Sequence, residues 1–227
     1  MTGFAGTLED NLDFSAAFIT DLAGNTSALT SNLQIALSLY GTDNADNLFG
    51  GSLADLLSGG YGIDELRGNA GNDTLIGGGS NDTLIGGAGA DTYVFADTLI
   101  GDGSVAGDAA AFAGVNTSVG VDTINFVAAD NDRFRLDEAV FGEMGSAGAL
   151  ASNQFLSVTS SSTALTALNT TGHGAIAYDS TLNKLYFVEA ETDTSQTLDA
   201  LVADGFAVQI ATISGNDITS ASSFFIV

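Results

Sequence analysis

Six aspartates recur at strict nine-residue intervals: Asp46, Asp55, Asp64, Asp73, Asp82 and Asp91. Two residues after each comes a large apolar side chain, in order Leu48, Leu57, Leu66, Leu75, Leu84 and Tyr93. The stretch divides into GTDNADNLF, GGSLADLLS, GGYGIDELR, GNAGNDTLI, GGGSNDTLI and GGAGADTYV, each opening on glycine. An ionised carboxylate only accepts hydrogen bonds, so a regular row of them is suited to collecting a hard cation. A carboxylate pair for glycoside hydrolysis could be drawn from the same residues, but the repeat accounts for them better.

Something must hold the carboxylates in register. Glycine and aspartate are poor helix and strand formers, so a chain built from them should be a loose loop. A loose loop has no reason to keep an apolar residue two places after every Asp. The pattern fits a tight turn followed by a three-residue strand whose central side chain points inward. The glycines supply positive φ and let backbone approach an ion. Two units form one coil, and coils stack at about 4.8 Å. Asp46 then lies beside Asp64, and Asp55 beside Asp73. Carboxylates so placed repel unless a cation lies between them. Calcium suits the site, because it takes six to eight oxygens in flexible geometry; magnesium keeps its waters and demands an octahedron.

Composition narrows the partners. The chain has 227 residues, 28 acids against 4 bases and a formal charge of -24. Nucleic acid and anionic membrane surfaces are excluded as partners, since both need Lys and Arg. There is no cysteine, which excludes disulfides and thiolate metal sites, and a single histidine, His173. His173 lies in a glycine-flanked turn, TGHGAIAY, and reads as structural. No apolar run is long enough to span a membrane, and the start, MTGFAGTLEDNLDF, is not a secretory signal peptide. No HExxH, GxSxG or Walker loop occurs, so no enzyme activity is expected.

The six nonapeptides resemble the RTX, or hemolysin-type, calcium-binding repeats of proteins exported by bacterial type I secretion. The resemblance implies an all-β fold, with a parallel β-roll over 41–94 and a β-rich region over 95–227 carrying the secretion signal; residues 1–40 lie outside it and read from their own pattern as a helix-plus-strand N-terminal cap. It implies four or more calcium ions, each held between loops one coil apart. By repeat position, one site takes Thr42, Asn44, Asp46, Gly59, Tyr61 and Asp64. A second takes Gly51, Leu53, Asp55, Gly68, Ala70 and Asp73. A third takes Gly60, Gly62, Asp64, Gly77, Gly79 and Asp82, and a fourth Asn69, Gly71, Asp73, Gly86, Ala88 and Asp91. Asn44 and Leu53 depart from glycine at the fourth position of their units. The family likeness extends through GADTYVFADT and VDTINFVAADNDRFRLDEAVFG, where Asp122 and Asp132 would close a further site with Asp82. It also covers GHGAIAYDSTLNKLYFVEA, like the family's late hairpin, and FAVQIATISGNDITSASSFFIV, like the region read by the exporter.

Elsewhere the patterns predict an amphipathic helix over 7–23 and a strand over NLQIALSLY that caps the roll. Strands are expected at TINFV, DRFRL, AIAYD, LYFVE, AVQIATI and FFIV, a helix within TSQTLDALVADG and a long excursion over 101–120. The expected partners are calcium, the type I secretion machinery and further copies of the chain. The implied protein is secreted and folds on meeting extracellular calcium. It would serve as a self-assembling surface-layer or filament subunit, as a soluble secreted binding protein, or as the C-terminal calcium-binding portion of a larger exported enzyme or adhesin.

Overall fold

The computed structural model describes residues 33–95, 120–137, 141, 147–162, 164–168, 170, 173–189, 195–215 and 218–227, with three short strands nearer the N-terminus. Those are β1 (Asn11–Leu12), β2 (Phe18–Thr20) and β3 (Thr26–Ala28). β1 pairs with β4 (Leu33–Gln34), and β2 pairs with β3. This corrects the helix expected over 7–23 wherever that stretch is described; the rest lies outside the described residues. Phe18, Ile19 and Thr20 are a run of strand formers, and their preference outweighs a helical spacing carried by scattered leucines.

The repeats form the frame. β5 (Ser38–Tyr40), β6 (Asn47–Phe49), β7 (Leu56–Tyr61), β8 (Glu65–Ala70), β9 (Thr74–Gly79), β10 (Thr83–Ala88) and β11 (Thr92–Phe95) follow one another. They alternate between two sheets. Odd-numbered strands stack in parallel in one and even-numbered strands in the other, with Leu57 opposite Leu75 and Leu48 opposite Leu66 opposite Leu84. The eighth residue of each unit thus points into the space between the sheets. Leu57, Leu66 and Leu75 are fully buried there. This is a parallel β-roll.

The same two sheets continue past the nonapeptides. β12 (Asp122–Phe126) lies parallel to β10, and β13 (Arg133–Leu136) parallel to β11. The chain then leaves the roll for β14 (Gly148–Ala149), β15 (Phe155–Val158), β16 (Ala175–Asp179), β17 (Lys184–Val188) and α1 (Leu198–Asp204). It returns as β18 (Ala207–Gly215), parallel to β12, and β19 (Phe224–Ile226), parallel to β13. The inward column accordingly runs on through Ile124, Phe134, Ile213 and Phe224. The strands expected from TINFV to FFIV and the helix in TSQTLDALVADG are present.

At this end the core turns aromatic. Phe134 stacks between Phe126 and Phe224, with ring centroids 4.9 and 5.0 Å away. The excursion between β13 and β18 packs a second small core, in which Leu165, Leu198, Leu201 and Val188 are fully buried against the outer side of β16 and β17. Thr197 caps α1 through Oγ1, and Gly205 ends it at φ 84°. At the opposite end Leu39 and Leu48, the first inward residues, are only half-buried. The expected strand over NLQIALSLY is split into β4 and β5, because its two halves pair with different partners, β1 and β7.

Candidate metal centre

Coil stacking places each aspartate against the backbone of the coil before it. Asp64 accepts from the Asp46 amide through Oδ1 at 2.8 Å, and Asp82 does the same with Asp64 at 2.8 Å. In the other column the Asp55 amide donates to Asp73 at 2.8 Å, and the Asp73 amide to Asp91 at 2.9 Å. The register crosses both breaks in the repeat. The Asp82 amide donates to Asp122 and the Asp91 amide to Asp132, each at 3.0 Å, over 40 and 41 residues of sequence instead of 18. Two columns of four aspartates result: Asp46, Asp64, Asp82 and Asp122 in one; Asp55, Asp73, Asp91 and Asp132 in the other.

One carboxylate oxygen is thereby consumed by the ladder, and the other is what matters chemically. At the first coil Oδ2 is met by the chain itself: Thr42 donates to Asp46 through N and Oγ1, and the Gly51 amide donates to Asp55. At the last, Asp132 Oδ2 accepts from the Val127 amide. Between them, Oδ2 of Asp64, Asp82 and Asp91 is buried with no hydrogen-bond partner. An unpartnered buried carboxylate oxygen is costly, and a cation is the remedy. Among the described residues no base hydrogen-bonds to these three oxygens, and Arg67 pairs instead with Glu65, exposed on the outer surface.

The glycines show why the units open as they do. A Cβ on Gly59 would lie 2.3 Å from Asp64 Oδ2 and 2.6 Å from the Gly77 carbonyl oxygen. One on Gly77 would lie 2.5 Å from Asp82 Oδ2 and 3.1 Å from Asp122 Oδ2. Gly68 and Gly86 stand in the same relation to Asp73 and Asp91. The Oδ2 oxygens thus face backbone so closely that any side chain at the glycine would run into them. Gly60 and Gly62 adopt φ of 102° and 113°, a region closed to most residues. They lie directly over the Thr42 and Asn44 carbonyls of the previous coil.

Electrostatics agree with the geometry. Burial pushes the carboxyls of Asp82 and Asp91 up to about 7, with the neighbouring aspartates Asp64 and Asp73 adding to the rise. For both, the amide bond described above holds the rise back in part. Asp64 and Asp132 are raised for the same first cause, and Asp122 is raised well above its ordinary value.

The twenty-two residues assigned by repeat position, with Asp122 and Asp132, fall along the two columns and their turns. The third set is brought together most plainly: Gly60 pairs with Gly78 and Tyr61 with Gly79 across neighbouring coils, over Asp64, Gly77 and Asp82. In the fourth, the Ala88 carbonyl accepts from the Gly71 amide at 2.9 Å and Gly86 sits over Asp91. In the first and second, the Thr42 and Gly51 carbonyls accept from Tyr61 and Ala70 at 3.0 and 3.1 Å. Asn44 is exposed, and the Leu53 carbonyl lies under Gly71. Among the described residues no three acidic or histidine side chains converge on a point, so an ion held here would draw on backbone carbonyls as well as on carboxylates. That donor set, all oxygen, suits calcium.

Leu37, Ala211 and Ser222 were not singled out beforehand. Leu37 occupies the aspartate place in the coil before Asp55 and donates its amide to Asp55 Oδ1 at 2.6 Å, so the ladder begins there without a carboxylate. At the other end Ala211 pairs with Asp122, and by the same register Ser222 falls beside Asp132, so each column stops where the next rung has no carboxylate. Tyr93 replaces leucine in the last unit; its buried hydroxyl accepts from the Gly86 amide and donates to the Asn125 carbonyl.

Residues 58–93 match the RTX calcium-binding nonapeptide repeat in four copies. That segment of the chain thus carries RTX calcium-binding repeats. The ion such repeats bind is calcium, and in this chain they form the parallel roll. Among solved structures it is similar to the solution structure of the AlgE6R3 subunit from the Azotobacter vinelandii mannuronan C5-epimerase. The two are 21% identical over 83% of this chain and 78% of that one, at a TM-score of 0.23. No curated protein matches the chain.

Proposed function

We propose that this RTX-repeat protein is exported by a type I secretion system and folds when it meets calcium outside the cell. The buried, unpartnered oxygens of Asp64, Asp82 and Asp91 carry this reading. Without a cation the roll must bury uncompensated charge in a chain already at -24, so the extended state is favoured and suits passage through a channel. Extracellular calcium modules bind at roughly 0.1–1 mM, far above cytosolic free calcium. A site filled to about 100 times its dissociation constant adds about 2.7 kcal/mol to folding, and sites sharing the aspartates of one column fill together.

We further propose that the folded chain is structural and assembles with copies of itself at the cell surface. The half-buried Leu39 and Leu48 at the first coil, beside the edges of β5 and β6, favour this: a second roll stacked there would complete both sheets. Size exclusion with light scattering, in chelator and then in millimolar calcium, tests it. Ordered assemblies in calcium support the structural role; a compact monomer in calcium removes self-assembly while leaving calcium-dependent folding in place.

A further inference from the structure

The turns of the first coil are built differently from those that follow. In the third to sixth units the second residue has positive φ: Gly60 at 102°, Asn69 at 74°, Gly78 at 101° and Gly87 at 109°. So does the fourth: Gly62 at 113°, Gly71 at 132°, Ser80 at 84° and Gly89 at 125°. Side chains rarely enter this region, so Asn69 and Ser80 show that the turn imposes the conformation and glycine only eases it. In the first two units the same places hold Thr42, Asn44, Gly51 and Leu53, and none of them has positive φ.

The difference decides what the aspartate meets. In the first coil the amides of Thr42 and Gly51 donate to Oδ2 of Asp46 and Asp55, each at 2.7 Å. The Thr42 hydroxyl adds a second bond to Asp46 Oδ2 at 2.8 Å. In the later turns the second residue is rotated, and Oδ2 of Asp64, Asp82 and Asp91 is left buried with no hydrogen-bond partner. An oxygen already held by donors of its own turn has less to offer a cation. A β-branched residue such as Thr42 also resists the rotation that would release it.

We propose that the first coil holds no calcium, and that ion binding starts between Asp64 and Asp82 in one column and between Asp73 and Asp91 in the other. The first and second sites assigned by repeat position are then closed by the chain itself. The first coil acts as a cap: its carboxylates bind their own turns, while the amides of Asp46 and Asp55 still enter the ladder, donating to Asp64 and Asp73 at 2.8 Å. The roll thus begins on a rung that needs no ion. This inference rests on the reading of the roll as a calcium-dependent fold.

Calcium bound per full-length chain, counted by equilibrium dialysis at saturating calcium, tests it. Asp46→Asn should leave the count unchanged and move the calcium midpoint of folding by less than about twofold, whereas Asp82→Asn should lower the count and raise the midpoint by about tenfold or more. Leu53→Gly, beside Gly51, frees both turn positions to take positive φ and should add an ion to the second column. Should that change at a half-buried leucine prevent folding, Thr42→Gly combined with Asn44→Gly, both at exposed positions, should add one to the first column. A lower count for Asp46→Asn, or no gain from the opened turns, would overturn the closed first coil while calcium-dependent folding stands. No calcium bound by the wild-type chain would overturn that reading and this inference with it.

Discussion

Asp82 and Asp122 are neighbours in one ladder although forty residues separate them: the amide of the first donates to Oδ1 of the second at 3.0 Å. Their other carboxylate oxygens face the same Gly77. The fifth repeat and the strand that begins at Asp122 are therefore joined through a shared candidate metal edge, as well as by the pairing of β10 with β12.

Asp122→Ala removes both links. It leaves the buried Asp82 amide without its acceptor, which costs about 1–3 kcal/mol, and withdraws one carboxylate from calcium. Asp122→Asn keeps an acceptor for the amide and loses only the charge. Thermal unfolding should therefore rank wild type above Asn above Ala in calcium. In chelator the Asn variant should be at least as stable as wild type, since a buried charge has gone.

The response to pH reverses with calcium. Without the ion, Asp82 and Asp91 titrate near 7 in the folded chain against 3.8 when unfolded. Between those values the folded chain holds more protons, so its stability is present at low pH and is lost as pH rises through about 7. In chelator, circular dichroism should show more β structure at pH 5 than at pH 7.5. With calcium, protons and ion compete for the same oxygens, so the midpoint of calcium-induced folding should rise on acidification, by tenfold or more over that range.

Gly77→Ala should weaken calcium-dependent folding severely, because its Cβ would sit 2.5 Å from Asp82 Oδ2. Gly205→Ala is the informative contrast. Gly205 has φ 84° and nothing within 4 Å of an added Cβ, so only backbone strain of about 1–2 kcal/mol is expected, with the calcium midpoint little changed. Calcium titrations of the two variants followed by circular dichroism separate a metal-site effect from a general one.

Tyr93→Phe deletes a hydroxyl that bridges the Gly86 amide and the Asn125 carbonyl. The Gly86 amide is buried and the Asn125 carbonyl half-buried, and the expected loss is about 1–3 kcal/mol, read as a lower melting temperature in calcium.

Much of this was legible because the repeat forces it. Asp and Leu two residues apart on a nine-residue period specify a strand, an inward face and a stacked carboxylate column without any tertiary information. Legibility failed where the same roll is built without the repeat. Ser38–Tyr40 is a full rung, but Leu37 stands where aspartate would mark it. β18 and β19 are rungs too, with Ala211 and Ser222 at the aspartate places, and seventy residues of excursion hide their register with β12 and β13. Helical spacing misled over 7–23 because four leucine and isoleucine positions say little about a stretch whose β-branched and aromatic run pairs locally. The first-position glycines were readable as a pattern; that each lies over a carboxylate oxygen needed coordinates.

The central claim is that calcium, by filling the spaces beside Asp64, Asp82 and Asp91, is what makes the roll the stable state. The most direct measurement is the hydrodynamic radius and far-ultraviolet circular dichroism of the full chain as calcium is titrated from chelator to millimolar. The account predicts an expanded, weakly structured chain that contracts in one steep transition to a β-rich form, unmatched by magnesium at the same concentration. A compact β-rich chain in chelator, unchanged by calcium, would contradict it.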